Sequence, residues 1–492
     1  MADPTKKPVN QWKTLDKDLK RIGHLEEATM FVSRPLIAPG LALAFIVLAG
    51  VISAMLMGSP WNFVVVAAAA IGAYMALNIG ANDVANNMGP AVGANALTLG
   101  GALVIAAVFE TAGALIAGGD VVKTVAKGII DPGQVSDSAH FIWAMMSALL
   151  AAALWLNLAT WLGAPVSTTH SIVGGVVGAG IVAAGFSAVD WVGLGAIAAS
   201  WVISPLLGGI IAAGFLWLIK VKIIYVDDKI GAARKWVPIL IGIMAGTFAA
   251  YLALKGLKQL IKISLLQAIL IGIGFGILSW IASKPLIERQ SRGLENRKKS
   301  LKTLFALPLV VSAALLSFAH GANDVANAVG PLAAIVHTVE MGDIAAKVQI
   351  PLWVMLTGAL GISVGLLLFG PKLIKLVGSE ITKLNPMRAY CVALSAAITV
   401  IIASWLGLPV SSTHIAVGGI FGVGFFREWH AERRARQLGL SKGKVVPPEE
   451  RSRRLLVRRS HMLTVAAAWV ITVPASAGLA AVLYLILNAF AG

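Results

Sequence analysis

From Leu41 to Met57 the chain carries no charged side chain, and the same holds from Trp61 to Ile79 and from Phe141 to Leu162. Each stretch approaches or reaches the roughly 20 apolar residues that cross a bilayer. In lipid every backbone N–H and C=O must be satisfied within the protein, so such continuous stretches are helices. A β-barrel would show short segments of alternating polarity instead. Only 13 % of the 492 residues are charged, about half of the roughly 25 % usual in soluble domains. That is too little charge to cover a soluble surface, while 58 % hydrophobic residues exclude disorder. The chain is therefore read as an all-α polytopic membrane protein.

Apolar segments lie near 41–57, 61–79, 99–118, 140–162, 166–184, 190–219, 236–254, 264–283, 304–319, 350–370, 388–408, 412–426 and 462–490. About 12–13 crossings are expected. The segments 166–184 and 412–426 are Gly-rich and open on Pro-Val-Ser, which interrupts a helix, so re-entrant or broken helices are expected there. Of 40 Lys and Arg, 30 fall in four stretches: 1–35, 220–235, 284–303 and 427–460. This is the positive-inside pattern and predicts a cytoplasmic N-terminus with all four stretches in the cytoplasm. The net charge of +17 then faces anionic lipid and gives no reason to expect nucleic acid. The first forty residues run polar and charged before any apolar block, unlike a signal peptide. The single cysteine, Cys391, is read as a small buried residue.

The chain also repeats itself. Gly80–Pro90 reads GANDVANNMGP and Gly321–Pro331 reads GANDVANAVGP, nine of eleven positions alike at an offset of 241. Trp161–Gly180 reads WLGAPVSTTHSIVGGVVGAG and Trp405–Gly424 reads WLGLPVSSTHIAVGGIFGVG, thirteen of twenty alike at an offset of 244. Two motifs in one order at nearly one spacing mark a duplicated unit. A Gly-Ala-Leu at 113–115 recurs at 358–360 and is taken to follow the same register. Seven crossings separate Asp83 from Asp324, so the copies are expected to run in opposite directions. Inverted repeats with interrupted helices are the architecture of secondary transporters, whose binding site lies near the midplane between the repeats.

Ionisable groups at membrane depth are costly and are candidates for function. Asp83 and Asp324 stand among Asn82, Asn86, Asn323 and Asn327, a set of hard oxygens suited to a hard cation such as Na⁺. A carboxylate also carries a proton, and a helix cap is the structural alternative. Ser167, Thr168, Thr169, Ser411, Ser412 and Thr413 follow a proline and precede an apolar run. Helices starting there would direct free N–H groups and hydroxyls at an oxyanion. His170 and His414 close these turns, as structural braces or as proton-linked groups. Glu110 lies alone within 99–118 and is expected to bind the cation or carry a proton, with a buried, protonated acid as the structural alternative. No GxxxxGK[ST] phosphate loop or HExxH zinc motif occurs, and no enzyme activity is expected.

GANDVAN at 80–86 and 321–327, FETAG at 109–113, PVSTTH at 165–170 and PVSSTH at 409–414 make the chain resemble the inorganic phosphate transporter (PiT) family over residues 61–426. The resemblance implies import of inorganic phosphate by symport with a cation, as an inverted-repeat protein of the cytoplasmic membrane, and is compatible with a homodimer. It implies phosphate at Ser167–Thr169, Ser411–Thr413, Asn86 and Asn327. It implies the cation, with sodium as the bound metal, at Asn82, Asp83, Asn323, Asp324 and Glu110. The GANDVAN wording resembles the sodium-coupled branch; H⁺ is the other coupling ion. A sulfate or other oxyanion symporter of the same fold, or an anion channel or sensor, is the alternative. The organisation read from the sequence is an arm at 1–35, an extra helix at 36–60, a first repeat with connecting helices at 61–283, a basic linker at 284–303, a second repeat at 304–426, a basic loop at 427–460 and a last helix at 461–492.

Overall fold

The computed structural model describes residues 36–57, 63–131, 134–135, 137–162, 166–256, 263–342, 349–376, 384–437 and 459–491. The arm at 1–35, Pro165 and positions 438–458 of the basic loop lie outside the described residues. The remainder is helical: α1 (Leu36–Leu56), α2 (Phe63–Asn82), α3 (Val84–Gly93), α4 (Leu99–Ala117), α5 (Gly119–Lys127), α6 (Ser138–Leu162), α7 (Thr168–Ala184), α8 (Trp191–Ile219), α9 (Lys229–Lys255), α10 (Leu265–Ser291), α11 (Leu301–Leu304), α12 (Ala306–Met341), α13 (Leu352–Leu376), α14 (Pro386–Trp405), α15 (Ser412–Gln437) and α16 (Arg459–Ala491). Among the described residues one isolated antiparallel bridge, Ile130 with Val189, is the extent of β pairing.

Eleven stretches are long and apolar enough to cross a membrane. Together with α7 and α15 they account for the thirteen apolar segments of the sequence. Polar side chains set the helix starts. Thr98, Asp190, Asp228 and Asn385 each accept a hydrogen bond from the backbone N–H three residues on, which satisfies an otherwise orphaned donor. Pro386 stands just inside α14, where its missing N–H costs nothing. Gly342, at φ 69°, ends α12 in the left-handed conformation that suits glycine.

GANDVAN behaves differently in its two copies. In the first, the helix is interrupted at Asp83, between α2 and α3. In the second, α12 runs through the motif for 36 residues without a break.

The repeats exchange helices. Each GANDVAN helix packs on the other repeat: α2 lies on α13, and α12 lies on α4. The Gly-rich helices do the same, with α7 on α16 and α15 on α8. Backbone contact makes this possible. A Cβ on Gly80 would strike the Ile362 carbonyl, and one on Gly321 would strike the Glu110 carbonyl. Gly113 faces the Phe318 carbonyl as Gly365 faces that of Leu77. Small residues that let helix backbones meet are a common basis of association in lipid.

These contacts correct the helix register expected from Gly-Ala-Leu. Packing equates Gly113 with Gly365, not with Gly358, so Glu110 corresponds to Ile362. The correspondence also continues beyond 426 into the last helix. Gly174 and Gly178 on α7 meet Val473 and Ala477 of α16, as Gly418 and Gly422 on α15 meet Pro205 and Gly209 of α8. Trp469-Val-Ile-Thr is thus the counterpart of Trp201-Val-Ile-Ser.

Candidate functional site

Two chain turns meet the two GANDVAN motifs in the interior. Asn323 anchors the second turn: its amide donates to Ser404 Oγ (3.0 Å) and the Leu408 carbonyl (3.1 Å), and its oxygen accepts from Val410 N (3.1 Å). Asn82 donates to the Val166 carbonyl of the first turn at 3.4 Å. Both asparagines, expected at the cation, are in this structure engaged with the turns.

The turns start α7 and α15. Ser167 Oγ accepts from His170 N at 3.2 Å, and Ser411 Oγ accepts from His414 N at 3.3 Å. These two serines are helix caps. The threonines point inward. Thr168 Oγ1 donates to Asp83 Oδ2 at 2.7 Å and faces Asp324 Oδ2 at 3.5 Å. Thr413 Oγ1 donates to Asp83 Oδ1 at 3.2 Å and accepts from Asn86 Nδ2 at 2.9 Å. Asn327 Nδ2 donates to Thr168 and Thr169, both at 3.2 Å, and Thr169 donates to the Val410 carbonyl at 3.0 Å. The expectation of separate cation clusters at each aspartate thus becomes one group. Ligand atoms of Asp83, Asp324 and His320 all lie within 4.8 Å of one another.

His320 joins Glu110 to this group. Its Nδ1 lies 2.5 Å from Glu110 Oε2 and its Nε2 lies 3.0 Å from Asp324 Oδ2. Asn87 Nδ2 donates to Glu110 Oε1 at 3.0 Å. Asn87, Glu110, His320 and Asp324 form a buried polar chain. The matching positions around the other GANDVAN motif are apolar: Ile79 for His320, Ile362 for Glu110, and Ala328 for Asn87. Sequence reasoning missed His320 and Asn87. Both stand where the copies differ, and comparison of the differences would have found them.

Buried oxygens remain open at the centre. Among the described residues Asp324 Oδ1, Asn327 Oδ1, Asn87 Oδ1 and Ser412 Oγ have no hydrogen-bond partner. Unpaired buried oxygens are costly, and three of these four are carboxylate or amide acceptors of the kind a hard cation takes. Gly361-Ile-Ser-Val-Gly365 spells a nucleophile elbow, but it lies inside α13, and Ser363 Oγ is engaged by Thr111 Oγ1 (2.7 Å) and the Ala107 carbonyl (3.0 Å).

A helical, multi-pass fold whose inverted repeats enclose buried carboxylates between two helix starts defines a membrane transport protein. The phosphate transporter family pattern matches residues 79–480, and the chain belongs to that family. A candidate phosphate permease of Helicobacter pylori (strain ATCC 700392 / 26695) is 50 % identical over 436 residues, covering 87 % of this chain and 81 % of its own. A second, from Pyrococcus abyssi, is 39 % identical over 358 residues, covering 73 % and 87 %. A solved structure described as the sodium-dependent phosphate transporter superposes with a TM-score of 0.77 at 34 % identity, covering 87 % of this chain and 99 % of that one.

Proposed function

We propose that the protein imports inorganic phosphate across the cytoplasmic membrane by symport with Na⁺. The observation that carries this reading is the convergence of two hydroxyl-bearing helix starts, α7 and α15, on the buried pair Asp83 and Asp324. A helix start favours an anion through its free N–H groups and dipole. Two carboxylates in the same low-dielectric space repel that anion. A cation held between them offsets the repulsion, so each ion binds well when the other is present. That mutual dependence is what coupling requires.

Asp83, Asp324 and the open amide oxygens of Asn327 and Asn87 are assigned to the cation. Thr168, Thr169, Thr413 and Ser412 are assigned to phosphate, with Thr168 also orienting the Asp83 carboxylate for the cation, Asn86 holding Thr413, and Ser167 and Ser411 capping the two helices. Asn82 and Asn323 fix the turns. If α6–α7 and α14–α15 are hairpins that each enter and leave by one face, the other spans keep all four basic stretches on one side. That side is assigned to the cytoplasm.

The test is uptake of radiolabelled phosphate into liposomes holding the purified protein, under a Na⁺ gradient or a proton gradient, with excess unlabelled sulfate as competitor. Accumulation above equilibrium driven by Na⁺ and resistant to sulfate is expected. Accumulation driven by protons alone reassigns the acids to proton carriage. Flux that only equilibrates defeats the symport reading.

A further inference from the structure

The histidines that close the two hydroxyl turns have no part in the scheme above, yet the fold brings their rings into contact, tilted by 52°. The His170 and His414 ring centroids are 4.6 Å apart. His170 lies against Trp201 at 3.8 Å, and His414 stacks on Trp469 at 3.6 Å. Trp201, His170, His414 and Trp469 thus form a four-ring column drawn from α8, α7, α15 and α16. Each repeat supplies one histidine and one tryptophan in matching positions.

The column is tied to the turns at several points. His170 Nδ1 lies 2.8 Å from Ser167 Oγ, the cap of α7. The backbone N–H of each histidine donates to its own turn's serine. Trp201 Nε1 donates to the Pro409 carbonyl of the opposite turn at 3.1 Å. The His414 imidazole does little as a polar group. Both His414 ring nitrogens are buried and lack a hydrogen-bond partner among the described residues. Neither ring forms an ion pair with a carboxylate there; the acids of the site contact His320, Thr168 and Thr413 instead. Apart from the bond of His170 to Ser167, ring-to-ring packing makes the contacts. Packed planar rings are rigid spacers, because each has fixed dimensions and few torsions.

We propose that this column positions the site: it fixes the separation of the two hydroxyl turns and so sets which tetrahedral oxyanion fits between them. The proposal rests on the symport reading above and names the size of the anion as what the column selects. His170 and His414 act through Ser167, Thr168, Ser412 and Thr413 and are positioning residues. Loss of one ring allows the turns to approach or tilt, which weakens phosphate binding and relaxes its preference over arsenate, the same tetrahedral anion with longer bonds.

The experiment compares wild type, His414→Ala, His414→Phe and Trp469→Leu as purified full-length protein. Phosphate uptake gives KM and kcat in liposomes, and ligand-induced thermal shifts give binding of phosphate, arsenate and sulfate in detergent. Truncation of His414 should raise the phosphate KM at least fivefold, change kcat less than threefold and narrow the phosphate-to-arsenate preference at least threefold. His414→Phe keeps the ring without its nitrogens and should stay within twofold of wild type. Trp469→Leu, which leaves both turns untouched, should follow His414→Ala. An unchanged KM and preference in both truncations overturns the proposal, as does a His414→Phe protein that behaves like His414→Ala. A wild type that prefers sulfate refutes phosphate as the substrate but still tests the column through the change in ranking. A wild type that binds none of the three anions removes both.

Discussion

Thr168 is the point at which the site depends most on one atom. Its hydroxyl donates to Asp83, faces Asp324 and accepts from Asn327. Thr168→Val keeps the shape of the side chain and leaves the Ser167 cap in place, so the change is confined to that hydroxyl. A hydrogen bond to a charged group contributes about 1.5–3 kcal/mol, and about 1.4 kcal/mol is a factor of ten in affinity. The Na⁺ concentration for half-maximal phosphate uptake should therefore rise about tenfold to a hundredfold. Thr413→Val loses a longer bond to the same carboxylate, 3.2 Å against 2.7 Å, and should have the smaller effect. Thr168→Ser should restore most of the loss. The assay is Na⁺-dependent uptake in liposomes, with Thr111→Val as control, since that hydroxyl bonds Ser363 between α4 and α13. A Thr168→Val protein within twofold of wild type would refute the assignment of the Asp83 group to coupling.

Three further outcomes are expected. Asp83→Asn and Asp324→Asn should each abolish gradient-driven uptake while the protein still inserts and purifies as a folded species; uptake at the wild-type rate in both would remove the carboxylates from the mechanism. Glu110→Ala or His320→Ala should each lower the unfolding temperature, because each leaves a buried polar partner unsatisfied, at a cost of about 1–3 kcal/mol. The double change Glu110→Ile with His320→Ile copies the apolar pair of the other repeat and should recover stability but not transport, as judged by melting and uptake side by side. Gly321→Ala should destabilise the α4–α12 contact by about 1–3 kcal/mol or more, the usual range for overpacking, whereas Gly100→Ala, with open space around it, should melt like wild type.

Much of the architecture was legible because lipid imposes one rule on the whole chain. Apolar length alone located thirteen helices, and Pro-Val-Ser followed by glycines marked the two that begin inside. The duplicated motifs gave Asp83, Asp324 and the hydroxyl turns because identical residues at matched positions stand out. Likeness between the copies does not mark the rest. His320 and Asn87 occupy positions where the copies disagree, so a search for likeness passed over them. The register of α4 and α13 is set by backbone contact at Gly113 and Gly365, and a shared Gly-Ala-Leu carries no record of which carbonyl faces which glycine. Asn82 and Asn323 were read as oxygen ligands from their place beside an aspartate. Their part in holding the turns depends on distant residues such as Val166 and Leu408, which sequence spacing does not bring together.

The exchange of helices between the repeats has a consequence for how the protein is made. The face of α4 that receives α12 is complete some 189 residues before α12 begins. At about 5–20 residues per second, that face waits on the order of ten to forty seconds for its partner. The sites on α2 for α13, and on α7 for α16, wait for similar reasons. During this interval the glycine-lined surfaces around Gly80, Gly113 and Gly174 can be filled only by lipid tails or by the insertion machinery. The amino-terminal half therefore reaches the membrane as a set of inserted helices without a finished interior, and Asp83 and Glu110 acquire Thr413 and His320 only when the carboxy-terminal half arrives.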